Sequence, residues 1–188
     1  MPKAIKLYVK YVDATNRIVG HIAMLLVFAM LFVLFKSSVS KTFFTPSLWT
    51  LEMAQFLMVA YYLLGGGYTL QKDHHVRMDL LYGRRSARTR AVMDVITSLF
   101  LLFFLGVLLY GGLSSTEYAI KYNEQSYSAW APYMAPIKVI MCIGIFLTLL
   151  QAIAQMFKDI AIARGKPLDR EGAEKIAADE AATGGEAR

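Results

Sequence analysis

Cysteine is almost missing from this 188-residue sequence: Cys142 stands alone, inside an apolar run. That excludes a disulfide framework and a cysteine-based metal site. Nucleophile motifs, phosphate-cradling glycine loops behind a strand and clusters with metal-ligand spacing are lacking too. No catalytic residue, cofactor or metal is therefore assigned, and the chain reads as a non-enzyme. Charge is scarce in the apolar runs. His21, Glu52, Asp94 and Lys138 are the ionisable residues there, and each sits near the end of its run. A carrier that trades protons or ions needs a carboxylate deep in the membrane, so a stand-alone multidrug carrier loses its main support.

Hydrophobicity is what the sequence has in quantity. Hydrophobic residues make up 56% and aromatic residues 13%, and the mean hydropathy of +0.43 is too high for an ordinary soluble domain of this length. The formal net charge is +6, which in a soluble protein would point to nucleic acid. In a membrane protein the same excess reflects basic loops on one side of the bilayer.

Four apolar stretches predict an all-α integral membrane protein with four transmembrane helices, over about 18–35, 49–70, 91–113 and 135–157. The first, at 1.5 Å per residue, is roughly 27 Å long, close to the hydrocarbon thickness. It is longer than the apolar region of a cleaved signal peptide, although Ser38-Val39-Ser40 follows it as a small-x-small pattern. Residues 1–17 carry Lys3, Lys6, Lys10 and Arg17 among aliphatic residues, the composition of an interfacial helical leader. The 158–188 segment is polar and rich in Ala and Glu, with Gly165-Lys166-Pro167 as a breaker, and reads as a partly disordered tail.

Orientation follows from the basic residues. Four Lys or Arg precede the first span, two lie between the first and second, six between the second and third, two from there through Lys138, and six follow the last span. The positive-inside rule then predicts both termini and the 71–90 loop in the cytoplasm, with the Phe43 and Trp130 connections outside. The basic residues are thereby explained without nucleic acid, and Arg84, Arg85, Arg88 and Arg90 are assigned to contacts with lipid headgroups.

Two constellations need weighing. His21 with His74 or His75 could hold a haem in a respiratory membrane anchor, but His74 and His75 fall beyond the second span, beside Lys72, Asp73 and Arg77. If the loop is helical, Asp73 and Arg77, and His75 and Asp79, are each four apart and pair along its surface. Gly65-Gly66-Gly67 sits inside an apolar helix, where it reads as a packing surface or a local kink.

The order of these features resembles the small membrane subunit (DctQ-like) of tripartite ATP-independent periplasmic (TRAP) transporters. The resemblance rests on Glu52 opening the second span, the Gly65–Gly67 patch, and the His75-Val76-Arg77-Met78-Asp79-Leu80-Leu81 run followed by arginines. Ser126, Trp130, Pro132 and Pro136 ahead of the last span match as well, so that it covers about Asp13 to Ile160. Lys138, where a small or apolar residue is expected, and the heavy glycine patch depart from the pattern.

The resemblance implies an inner-membrane subunit without chemistry of its own, packed on the scaffold of a large permease of about twelve helices. A periplasmic binding protein would deliver an organic solute, usually a carboxylate, and a sodium gradient would drive uptake by symport. Glu52, Gly65, Gly66, Gly67, His75, Arg77 and Asp79 are then expected to contact the large subunit or order the loop. Glu117, Lys121, Glu124 and Trp130 are expected to face the binding protein. The alternative is a haem- or quinone-holding anchor of a respiratory complex.

Overall fold

The computed structural model describes residues 3–43, 45, 47–72 and 87–163. These residues form four helices: α1 (Lys3–Phe43), α2 (Thr50–Gln71), α3 (Ala87–Lys121) and α4 (Ala135–Ala163). Among the described residues the pairing of extended backbone is confined to an isolated bridge between Gln125 and Tyr133. The all-α expectation therefore holds. Three of the helices contain stretches long and apolar enough to cross a membrane, at Ile5–Phe43, Val95–Lys121 and Ala135–Ile162. The 22 residues of α2 give it a length of about 33 Å, but Glu52, Gln55 and the three glycines interrupt it, and it holds no stretch as apolar as those three.

The helix boundaries differ from those expected in two places. No break separates a leader from the first span: α1 runs for 41 residues, about 62 Å. Lys3–Phe43 contains no proline and a single glycine, Gly20, and the chain leaves the helix just before Pro46, where the residue ahead of a proline disfavours helical backbone. At the other end α4 continues through Ala163, so Lys158 and Asp159 are buried helical residues and not the start of a tail.

The last helix is the hub. It packs against α1, α2 and α3, whereas α1 packs on α2 and α3 packs chiefly on α4. One core cluster joins Leu70 of α2, Leu105 of α3, and Ile145 and Ala152 of α4. A second joins Val9 and Val12 of α1 to Ala154, with the Tyr8 hydroxyl donating to the Leu150 carbonyl at 3.1 Å and its ring edge-on to Phe157. Small residues allow the close crossings. At Gly144 an added Cβ would lie 2.8 Å from the Leu63 backbone carbon, and at Gly20 it would lie 2.5 Å from the Tyr68 ring.

The opposite faces of α1 and α3 are bare. Phe28, Phe32 and Phe35 on one, and Leu99, Phe100 and Phe103 on the other, are all at least 64% exposed. Surfaces of this size and apolarity are covered by lipid or by other proteins.

Candidate functional site

At one end of the bundle a chain of polar side chains crosses from α1 to α4. Asn16 donates from Nδ2 to Gln151 Oε1 at 2.8 Å and to the Val12 carbonyl at 3.2 Å. Gln151 donates from Nε2 to Asp13 Oδ1 at 2.8 Å, and Lys158 Nζ reaches Asp13 Oδ2 at 2.8 Å. Asn16 and Gln151 are fully buried. The Asn16 Oδ1 atom has no hydrogen-bond partner among the described residues; it lies against Gly67, where a side chain would overlap it. Burying polar groups in an apolar bundle is unfavourable unless they meet one another, so this chain fixes which turn of α1 faces which turn of α4.

Sequence alone assigns no role to Asp13, Asn16 or Gln151, and places Lys158 at the start of the tail. A signal was present. Thr148, Gln151, Gln155 and Lys158 recur three or four apart on α4, the spacing of one helix face, in a stretch otherwise aliphatic.

The glycine patch of α2 faces inward on several sides. Gly65 approaches Ala23 of α1, Gly66 approaches Thr148 of α4, and Gly67 receives Asn16. Packing is thus its role within the chain, as the sequence suggested. Gly65 and Gly66 also line a cleft of about 850 Å³. Met24 and Val27 of α1 bound it on one side, Phe104 and Leu108 of α3 on the other, with Tyr62 and Thr69 of α2 between them.

At the other end of α2, Glu52 lies in the first helical turn, where a negative charge suits the positive end of the helix dipole. Its Oε2 atom is buried and has no hydrogen-bond partner among the described residues. One turn further, Gln55 is exposed. Nearby, buried Thr50 ties α2 to α1, its hydroxyl 3.0 Å from Ser37 Oγ and 2.9 Å from Ser47 Oγ. Lys36 sits 4.3 Å over the Trp49 ring.

The connection from α3 to α4 is folded. Met134 N–H donates to the Glu124 carbonyl at 2.9 Å and Ser126 N–H to the Pro132 carbonyl at 3.0 Å. Asn123 and Ala131 adopt positive φ of 48° and 44° to turn the chain. Lys138, at a position where a small or apolar residue is expected, pairs with Glu124 at 2.5 Å. Glu124 is thus engaged within the chain, whereas Glu117 and Lys121 are exposed, Trp130 is 38% exposed and Tyr127 projects without cover. Ser126, Trp130 and Pro132, noted in the sequence as a pattern, are parts of this one loop.

His75, Arg77, Asp79, Arg84 and Arg85 lie outside the described residues, as do the side chains of Arg88, Arg90 and Asp94. His21 is exposed, its Nδ1 atom 2.6 Å from the Arg17 carbonyl and its ring 6.1 Å from that of Tyr68; His74 is likewise outside the described residues.

Comparison with known families matches residues 30–161 to the family described as tripartite ATP-independent periplasmic transporters, DctQ component. No curated protein matches the chain. The matched span runs from within α1 to near the end of α4, and so includes the glycine patch, the folded loop and the cleft's walls on α2, α3 and α4, but not its α1 wall.

Proposed function

The chain belongs to the DctQ family of tripartite ATP-independent periplasmic transporters, and from that premise we propose that it is the non-catalytic small membrane subunit of such a transporter. It packs on the scaffold of the large permease and supports sodium-driven uptake of an organic solute, a carboxylate by the family resemblance, handed over by a periplasmic binding protein. The family match carries this reading. It is supported by the apolar character of the helices, whose bare faces on α1 and α3 call for a lipid or protein environment.

Within that reading the chain crosses the inner membrane four times, with both termini in the cytoplasm. Although α2 holds no stretch as apolar as those of the other three helices, it has the length of a bilayer crossing, and its contacts with α1 and α4 shield part of it from lipid. Only an even number of crossings returns the basic 71–90 segment and both basic termini to one side. A haem- or quinone-holding anchor draws no support from the family match.

The test is isolation of the affinity-tagged chain from membranes in which the large permease and binding protein are co-expressed. The large subunit is expected to co-purify, and deleting the small subunit is expected to abolish sodium-dependent uptake. Uptake that persists in the deletion strain would overturn the proposal.

A further inference from the structure

The stripes of α1 and α2 that line the cleft change character beyond its Gly20 and Thr69 end, which faces the cytoplasm in the topology proposed above. Inside the cleft they are largely apolar. Outside it they turn basic. Arg17 lies seven residues before Met24, and Lys72 seven residues after Gly65. Seven residues are two helical turns, so each cation continues a stripe that lines the cleft. Both are exposed.

The two cations flank one mouth. Contacts of Asn16 with Gly67 and of Gly20 with Tyr68 set α1 and α2 side by side, which puts Lys72 about one turn beyond the level of Arg17. The His21 ring, one turn along α1 from Arg17, lies 6.1 Å from that of Tyr68, a residue of the cleft wall. Asp13, the acid of α1, is held by Gln151 and Lys158.

We propose that the cleft takes an acyl chain of an anionic phospholipid of the cytoplasmic leaflet, with the phosphate held between Arg17 and Lys72. The inference rests on the topology proposed above for its side of the membrane. Depth selects an acyl chain over a helix: the walls run over Gly20–Val27, Tyr61–Thr69 and Leu101–Leu108, about 12–14 Å each, which is one leaflet and not a full crossing. Charge selects the headgroup. The guanidinium offers a fork of donors to phosphate oxygens and the ammonium a point charge, and a headgroup that brings its own cation competes with both.

Phosphatidylglycerol with a photoreactive diazirine in its acyl chain, and the phosphatidylcholine analogue, test this on the full chain reconstituted into phosphatidylethanolamine vesicles. Adducts mapped by mass spectrometry are expected at Met24, Phe104 and Leu108, about tenfold stronger with the phosphatidylglycerol probe. Arg17→Gln with Lys72→Gln is expected to remove that preference. Gly65→Leu, which fills the cleft and spares both cations, is expected to abolish the cleft adducts of both probes. Lys6→Gln with Lys10→Gln removes as much charge from α1 about 10 Å or more from Arg17, beyond a Debye length, and is expected to keep the preference within about twofold. Equal labelling by the two probes, equal losses from the two double variants, cleft adducts that survive Gly65→Leu, or adducts confined to Phe32 and Phe103 would each overturn the site. Co-purification of the large permease is scored separately, and its failure would overturn the small-subunit reading while leaving the labelling pattern as expected.

Discussion

Asn16 and Gln151, 135 positions apart in sequence, share a 2.8 Å hydrogen bond between the first and last helices. Neither is accessible to solvent, so each is the other's replacement for water. Interhelical hydrogen bonds in membranes are individually modest, averaging about 0.6 kcal/mol and reaching about 1.7. Their value here is positional: any slip of α1 along α4 leaves both amides, and the Asp13 carboxylate behind them, without partners.

A double-mutant cycle measures that coupling. Asn16→Val and Gln151→Leu are each expected to lower thermal stability in detergent, and the double variant to lose less than their sum, with a coupling of about 0.5–1.5 kcal/mol. Strict additivity would show that the bond fixes nothing.

The glycines separate into two classes by what surrounds them. A methyl at Gly144 meets the Leu63 backbone at 2.8 Å, whereas one at Gly106 meets nothing within 4 Å. Gly144→Ala should cost about 1–3 kcal/mol through forced separation of α2 and α4. Gly106→Ala should be neutral or stabilising by up to about 1 kcal/mol, the usual gain on replacing glycine inside a helix. Melting temperatures of the two purified variants decide it.

The Glu124–Lys138 pair closes the loop between α3 and α4, with side chains 31% and 15% exposed. Partial exposure limits its contribution to about 1 kcal/mol or less. Lys138→Ala is expected to leave the helices in place but release the loop, read as faster proteolysis near Tyr127 and a shift in Trp130 fluorescence. Exchanging the two charges, Glu124→Lys with Lys138→Glu, should restore the wild-type pattern. If Lys138→Ala leaves the loop as resistant as before, the pair is incidental.

Sidedness can be read with one cysteine at a time, because Cys142 is buried. Lys10→Cys should resist a membrane-impermeant maleimide in intact cells, and Tyr127→Cys, at a fully exposed position, should react. The reverse pattern would invert the topology.

Much of the fold was legible. Long apolar runs with no interior breaker set the helices, and the glycine patch announced close packing that Gly65, Gly66 and Gly67 carry out. The length of α1 was less evident, because the basic residues ahead of Ile18 look like a membrane boundary, while helix propagation needs only the absence of a breaker. Least legible were the pairings. Asp13 gains Lys158, and Lys138 gains Glu124, through tertiary contacts that no local pattern records. The same holds for α2: Glu52 was visible as an intramembrane acid, but the burial of its Oε2 atom belongs to three dimensions.

The hub position of α4 has a consequence for biogenesis. A ribosome delivers α1 and α2 first, and these two can pair as they enter the bilayer. The third helix has little to pack on until the last one arrives. At a synthesis rate of about 5–20 residues per second, Asn16 waits roughly 7–27 s for Gln151 to be made. During that interval the nascent chain holds an unmatched amide and carboxylate, and truncation before α4 would leave them exposed to membrane quality control.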